Sequence, residues 1–198
     1  MLSITIKNAK KIEKDFKTFW PKLTRELTNI VREQSKLLTA YVITRHLTGG
    51  TTKDRLKVRT GHLRRTTKPR KVEVKKYTVI GGVNFGAIYA KVHVGRRGKE
   101  TIIKPRRAKM LAIPLPAALT GAGVIKGRPR DFDRTFIKEV HGNPIIFQNQ
   151  NGKAVPLFVL KHSVKIPARV HPEDIAEVFA PKIEKQVSMT VERIWQRR

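Results

Sequence analysis

The sequence predicts an α+β protein, an antiparallel or mixed β-sheet flanked by a long N-terminal helix and a C-terminal helix. Three observations carry this. Apolar residues recur at helical spacing at both ends of the chain, apolar and polar residues alternate through its middle, and glycine and proline separate the two regimes. At 198 residues with 39% hydrophobic residues, the chain is long enough to bury a core and fits a single domain over 1–198.

The first helix is expected over 12–48. Ile12, Phe16, Phe19/Trp20, Leu23, Leu27, Ile30/Val31, Leu37/Leu38, Tyr41/Val42 and Leu47 form one stripe, closed by Gly49-Gly50. Pro21 should start its main part or kink it, because a proline pushes the residue before it out of the helical region. A basic segment follows over 51–71, poor in large apolar groups.

Sheet signals fill 72–166. Ile88, Ala90, Val92 and Val94 alternate with polar residues and read as a strand, paired with Val72–Ile80 through a turn that begins at Gly81-Gly82. Further strands are expected at Met110–Leu115, Thr135–Val140, Ile145–Gln148 and Val155–Ile166, with Asn149–Gly152 as a hairpin turn. The stretch 116–130, with Gly121, Gly123 and Gly127 and little periodicity, reads as a long loop. Pro172 opens the last helix, expected over 172–197, through Ile175, Val178/Phe179, Ile183, Val187, Val191 and Ile194/Trp195, with Pro181 as a kink.

The charge sets the function classes. Lys and Arg number 43 against 15 Asp and Glu, a formal net charge of +28. Repulsion on that scale calls for an anionic counterpart, and nucleic acid is the first candidate because cations that displace counterions from phosphates gain affinity without reading sequence. An acidic protein surface or an anionic membrane is the other source of such charge. With no cysteine, disulfides and thiolate metal sites are excluded. No apolar run reaches the ~20 residues of a membrane span. Met1–Lys11 alternates and lacks a signal-peptide core, so the protein is expected to be made and kept in the cytoplasm, with no membrane partner.

Catalytic patterns are weak. Asp131 and Asp133 form the closest acidic pair, but a metal-dependent nuclease needs a third ligand and a nearby lysine. The histidines at 46, 62, 93, 141, 162 and 171 lack metal-ligand spacing, and His93 falls on the solvent or interface side of its expected strand. Gly121-Ala122-Gly123-Val124-Ile125-Lys126 has Lys126 where a dinucleotide fingerprint needs glycine. Serine is scarce and forms no nucleophile elbow. The expectation is a protein that is not an enzyme and carries no cofactor or metal.

The basic clusters are the candidate contact sites. One runs from Arg45 to Lys76 and includes Arg59, Arg64, Arg65, Lys68, Arg70 and Lys71, opposed by Asp54 and Glu73. The other comprises Arg96, Arg97, Lys99, Lys104, Arg106, Arg107 and Lys109 against Glu100. They flank the predicted hairpin and could merge into one patch facing DNA or an acidic partner. Aromatics are not interleaved with them, so bases should not be stacked and any DNA should be held by its backbone.

Three segments taken together resemble one family. Val58-Arg59-Thr60-Gly61-His62-Leu63-Arg64-Arg65 is similar to the R-T-G-x-L-R-R element of bacteriophage tail-completion and virion-morphogenesis proteins. Ile88-Tyr89-Ala90-Lys91-Val92-His93-Val94-Gly95 resembles their Y-A-x-x-x-x-x-G strand, and Val164-Lys165-Ile166-Pro167-Ala168-Arg169 their hydrophobic-P-A-R signature. The layout resembles that of the lambdoid minor tail protein Z type. Relatives often place an acidic and an aromatic residue where this chain has His93-Val94, and follow Pro-Ala-Arg with proline and an aromatic where it has Val170-His171-Pro172.

The resemblance implies a structural virion protein of the tail and neck, assembled in the host cytoplasm. It would cap the tail tube and join it to the DNA-filled head. It implies a homo-oligomeric ring, six copies by the symmetry of such tails, beside tail-tube or terminator and head-connector proteins, with double-stranded phage DNA as a possible contact. The alternative is a stand-alone, sequence-nonspecific nucleic-acid-binding protein.

Overall fold

The computed structural model describes residues 9–49, 55–76 and 78–196, with the backbone alone for 9–13 and Phe16. The expectations for Met1–Asn8, Lys53, Arg197 and the side chains of Ile12 and Phe16 lie outside the described residues. In chain order the elements are α1 (Ala9–His46), α2 (His62–Thr66), β1 (Thr67–Pro69), β2 (Glu73–Lys75), β3 (Thr78–Ile80), β4 (Val83–Phe85), α3 (Ala90–His93), β5 (Glu100–Ile103), β6 (Leu111–Pro114), β7 (Thr135–Val140), β8 (Asn143–Gln150), β9 (Lys153–Lys161), β10 (Val164–Pro167) and α4 (Pro172–Gln196). The α+β class is as expected, and the named strands pair antiparallel, with one isolated parallel bridge between Val94 and Val170. The chain divides into two compact units: Met1–Thr48 with Leu63–Ala90 and His171–Arg198, and Gly49–His62 with Lys91–Val170.

In the first unit α1 and α4 pack antiparallel. Phe19 meets Trp195 edge-on at 5.8 Å, Glu26 pairs with Arg193 at 3.2 Å, Gln34 with Gln186 at 2.9 Å, and Tyr41 meets Phe179 at 5.5 Å. α1 runs unbroken through Pro21, so the proline does not start a new helix, and α4 likewise contains Pro181. The buried face of α1 is partly polar. Leu23 and Val42 are buried beside Gln34, Ser35, Thr39 and His46, while Leu37, part of the expected stripe, is exposed.

That polar seam receives a β-ribbon. Thr67–Pro69 pairs with Val83–Phe85 and Glu73–Lys75 with Thr78–Ile80, the register slipping by one residue between the two halves. Gly81-Gly82 is therefore not a hairpin turn but the step between β3 and β4, opposite the longer run 70–72 that makes the slip. It exists because the ribbon there lies on α1: a Cβ on Gly81 would stand 2.4 Å from the Ser35 Oγ and 2.5 Å from a Val31 methyl. The Gly82 amide donates to the Ser35 hydroxyl at 2.9 Å, and that hydroxyl donates to the Val31 carbonyl at 2.6 Å.

The expected strand over Ile88–Val94 does not form. Its intended neighbour, Val72–Ile80, folds back on itself, Glu73–Lys75 pairing with Thr78–Ile80, and a strand without a neighbour has nowhere to place its amides. Instead the Ala90 amide donates to the Ala87 carbonyl, opening α3, and Ile88 is left 87% exposed.

In the second unit β6-β9-β8-β7 make a four-stranded sheet, and β5 pairs with β10 in a separate ribbon. The single sheet expected over 72–166 is thus several small ones, and the one long strand expected over Val155–Ile166 is two, β9 and β10. The β8–β9 turn is as anticipated, with Asn151 and Gly152 both at positive φ (53° and 82°), and His141-Gly142 makes a similar turn before β8. A bulge in β9 inserts Leu157 opposite the Ile146/Phe147 step. Leu157, Phe158 and Ala118 form the buried core, covered by Ala117, Phe132, Ile146 and Val155. The stretch 116–130 is more ordered than a loop: 3-10 turns at Pro116–Ala118 and Pro129–Asp131 flank a bridge between Leu119 and Ile125.

Gly81→Ala should cost about 1–3 kcal/mol, because the new methyl must displace Ser35 or Val31. Ser35→Ala should cost about 1–2 kcal/mol by leaving the Gly82 amide without its acceptor. Thermal melts of the two variants check this, and wild-type melting of Gly81→Ala would contradict the close approach.

Candidate nucleic-acid and acidic-partner surfaces

In the first unit the cations belong to α2 and the ribbon. Leu63 is buried, and its carbonyl accepts the Thr67 hydroxyl at 2.8 Å, which pins α2 to the start of β1. With that residue turned inward, Arg64 and Arg65 point out and are exposed, as are Lys68, Arg70, Lys71, Lys75 and Lys76. All the ribbon's charges lie on its first strand and its turn; Thr78–Phe85 carries none. Glu73 takes one cation out of play. The Arg70 guanidinium donates to its Oε1 at 2.7 Å, and that hydrogen bond and charge, aided by Lys75, hold the carboxyl below the usual range.

In the second unit Lys57 and Arg59 are exposed ahead of α2, and the Arg59 guanidinium passes near Gly123. Arg96 and Arg97 form the tip of a turn in which the Lys99 amide donates to the Arg96 carbonyl. Lys104, Arg106, Arg107 and Lys109 line the segment between β5 and β6, all exposed. Lys165, opposite Ile102 in the β5–β10 ribbon, is exposed, as are Lys126, Arg128 and Arg130. These last four stood outside the clusters read from sequence, although Lys126-Gly-Arg-Pro-Arg was there to be seen.

The predicted hairpin that was to merge the two basic clusters is absent, and each cluster belongs chiefly to its own unit. Among the described residues, no carboxylate pairs with Lys68, Lys71, Arg96, Lys104, Arg106, Arg107 or Lys109.

Asp131 and Asp133 do not act together. The Asp131 carboxylate accepts the Arg128 amide at 2.7 Å, capping its 3-10 turn, while Asp133 contributes only its backbone carbonyl, to the Gln148 side chain. No cluster of three metal-capable side chains occurs among the described residues.

Two of the three segments that resemble phage proteins meet. The His93 carbonyl accepts the amides of Arg169 and Val170, the Gly95 amide donates to the Val170 carbonyl, and Ala168 donates to Lys99. His93 is half-buried in α3, not on a strand, and its Nδ1 is buried without a hydrogen-bond partner. Burial, then the nearby Arg169 charge, pushes its pKa below the usual 6.5.

No family model matches the chain, no curated protein matches it, and no solved structure matches its fold.

Because the folded pKa of His93 lies below its unfolded value, its contribution to stability is whole above about pH 6.5 and is lost as pH falls below that. Melting temperature should therefore drop between pH 7.5 and pH 5, and His93→Gln should flatten the drop. An equal slope in the variant would remove His93 as the cause.

Proposed function

We propose that the chain is a structural virion protein of the bacteriophage head–tail junction, a tail-completion or neck component that caps the tail tube and joins it to the DNA-filled head. It acts by assembling as a homomeric ring, makes and breaks no bond, and turns its basic surfaces to DNA or to acidic connector proteins. One observation carries the reading: the described residues expose as many large hydrophobic side chains as there are hydrophobic residues buried, twelve of each. They stand alongside cations that have no internal counter-charge. A chain that keeps both kinds of adhesive group outside is suited to being one part of an assembly. The tail-completion-like segments support the choice of assembly, and so does their joining around His93 and Val170.

The ribbon favours a second reading, a stand-alone nucleic-acid-binding protein. A two-stranded ribbon fits the duplex major groove, and here it carries Lys68, Lys71 and Lys75 exposed along one strand.

Light scattering at about 0.15 M and about 0.5 M salt, with and without short duplex DNA, separates the two. The neck reading expects discrete oligomers, with or without affinity for duplex, and rings at tail-tube ends in electron micrographs. A monomer that binds duplex at low salt and releases it at high salt sinks it. In that case the triple change Lys68→Ala, Lys71→Ala, Lys75→Ala should lower the salt-dependence slope of binding by about 0.9 for each phosphate that is no longer neutralised.

A further inference from the structure

The sheet of the second unit ends on an edge with which no described strand pairs. β7 is the outer strand of β6-β9-β8-β7, and its backbone hydrogen bonds among the described residues go to β8 alone. An open edge is a template for another strand, and natural proteins blunt it with proline, a bulge, shortness or charge. β6, at the opposite edge, is four residues long and ends on Pro114. β7 runs six residues in unbroken register without proline or bulge.

Its side chains point the same way. Phe136 and Ile137 project to opposite faces of the sheet and are 42% and 63% exposed. Phe136 stacks on Phe147 at 5.6 Å. Ile137 stands opposite Ile146, which in turn faces the buried Phe158. Both faces of the sheet thus carry an exposed apolar side chain at this edge.

The charge on this edge says what can approach it. In a chain of net +28, residues 135–150 carry one lysine and one glutamate, Lys138 and Glu139. DNA has no phosphate-binding surface to find there, and an acidic protein has nothing to neutralise. A second copy of the chain, repelled almost everywhere else, meets a neutral apolar strand identical to its own.

We propose that β7 is a homotypic pairing edge, at which two copies of the chain add strand to strand, antiparallel, across a two-fold axis. Charge also selects the register. An axis through Lys138 would oppose two ammonium groups, and one through Glu139 two carboxylates. An axis through Ile137 avoids both, setting Ile137 against its own copy, Phe136 against Lys138 and Thr135 against Glu139. The lysine then lies on an aromatic side chain, a favourable contact. Because a two-fold contact closes on itself, it leaves the basic ribbon and the other surfaces for ring contacts, as in two rings stacked face to face.

The chain's lack of cysteine makes the test clean. Wild-type protein in about 0.3 M salt, where surface repulsion is screened, should have a mass that is an even multiple of 22.6 kDa. Ile137→Lys, a charge on an already exposed position, should at least halve that mass without changing the far-ultraviolet circular dichroism. Ile137→Cys should form a disulfide-linked pair on mild oxidation, since directly opposed Cα atoms of antiparallel strands stand about 4.5–5.5 Å apart, within disulfide reach. Lys153→Cys, at the far end of the β8–β9 hairpin, should not. Single-chain mass in the wild type, a mass unmoved by Ile137→Lys, or equal cross-linking at both cysteines overturns the pairing. A mass unmoved by Ile137→Lys, or equal cross-linking, removes the pairing and leaves the neck reading standing. That reading fails instead on a monomer that binds duplex at low salt and releases it at high salt.

Discussion

Like-charge repulsion is the constraint under which this chain folds. Forty-three cations and fifteen carboxylates cannot be reconciled inside one molecule, and burial of unpaired charge is too costly to be an option. The structure accordingly keeps its cations mostly exposed, on the outer faces of α1 and α4 as well as on strands, turns and short helices. The interior is left to apolar residues and to polar groups most of which find partners, the Thr24 hydroxyl, the Arg55 Nε and the His93 Nδ1 being buried without one. The few ion pairs sit at the surface, as between Arg70 and Glu73 or Lys36 and Glu33, where such contacts contribute little.

The consequence for packing is a small core assisted by hydrogen bonds. Ser35 and Thr39 return their hydroxyls to the carbonyls of their own helix, and Gln34 finds Gln186 across the α1–α4 seam. Ser35 does more, since its oxygen also receives the Gly82 amide of the ribbon. A glycine pair on one element and a small hydroxyl on the other allow backbone and helix to approach closely. A larger side chain at either position would hold the ribbon away from α1 and unseat the strand that carries Lys68 and Lys71.

The same economy explains why so much apolar surface stays outside. Leu157 reaches the interior only because a bulge in β9 turns it there, and the sheet around it is thinly covered. Ile137 completes a row that begins at the buried Phe158 and ends in solvent, and Phe136 stacks on Phe147 at the same edge. Basic surfaces and apolar edges thus fall on different elements: the cations on the first strand of the ribbon and between β5 and β6, the neutral strand at β7. A protein arranged in this way offers a basic surface to an anion on some elements and a neutral edge on another.

Much of this was readable from residue order. The two amphipathic stripes placed α1 and α4 because a period of 3.6 over many turns has few other readings, and Asn151-Gly152 marked its turn because two successive positive φ angles suit few residue pairs. The basic segments were legible as exposed, since no sequence partner could neutralise them. Which strands pair was not legible. Ile88–Val94 alternates like a strand, yet whether it becomes one depends on a neighbour, Val72–Ile80, that instead pairs with itself. Gly81-Gly82 looks like a turn until Ser35, dozens of residues away, is known to lie against it. The open edge of β7 and the exposure of Ile137 belong to the same class. Sequence by itself determined period, charge and turn chemistry, which are local properties. The tertiary structure alone decided pairing, close approach and which apolar groups find cover, because each depends on what a distant segment has left vacant.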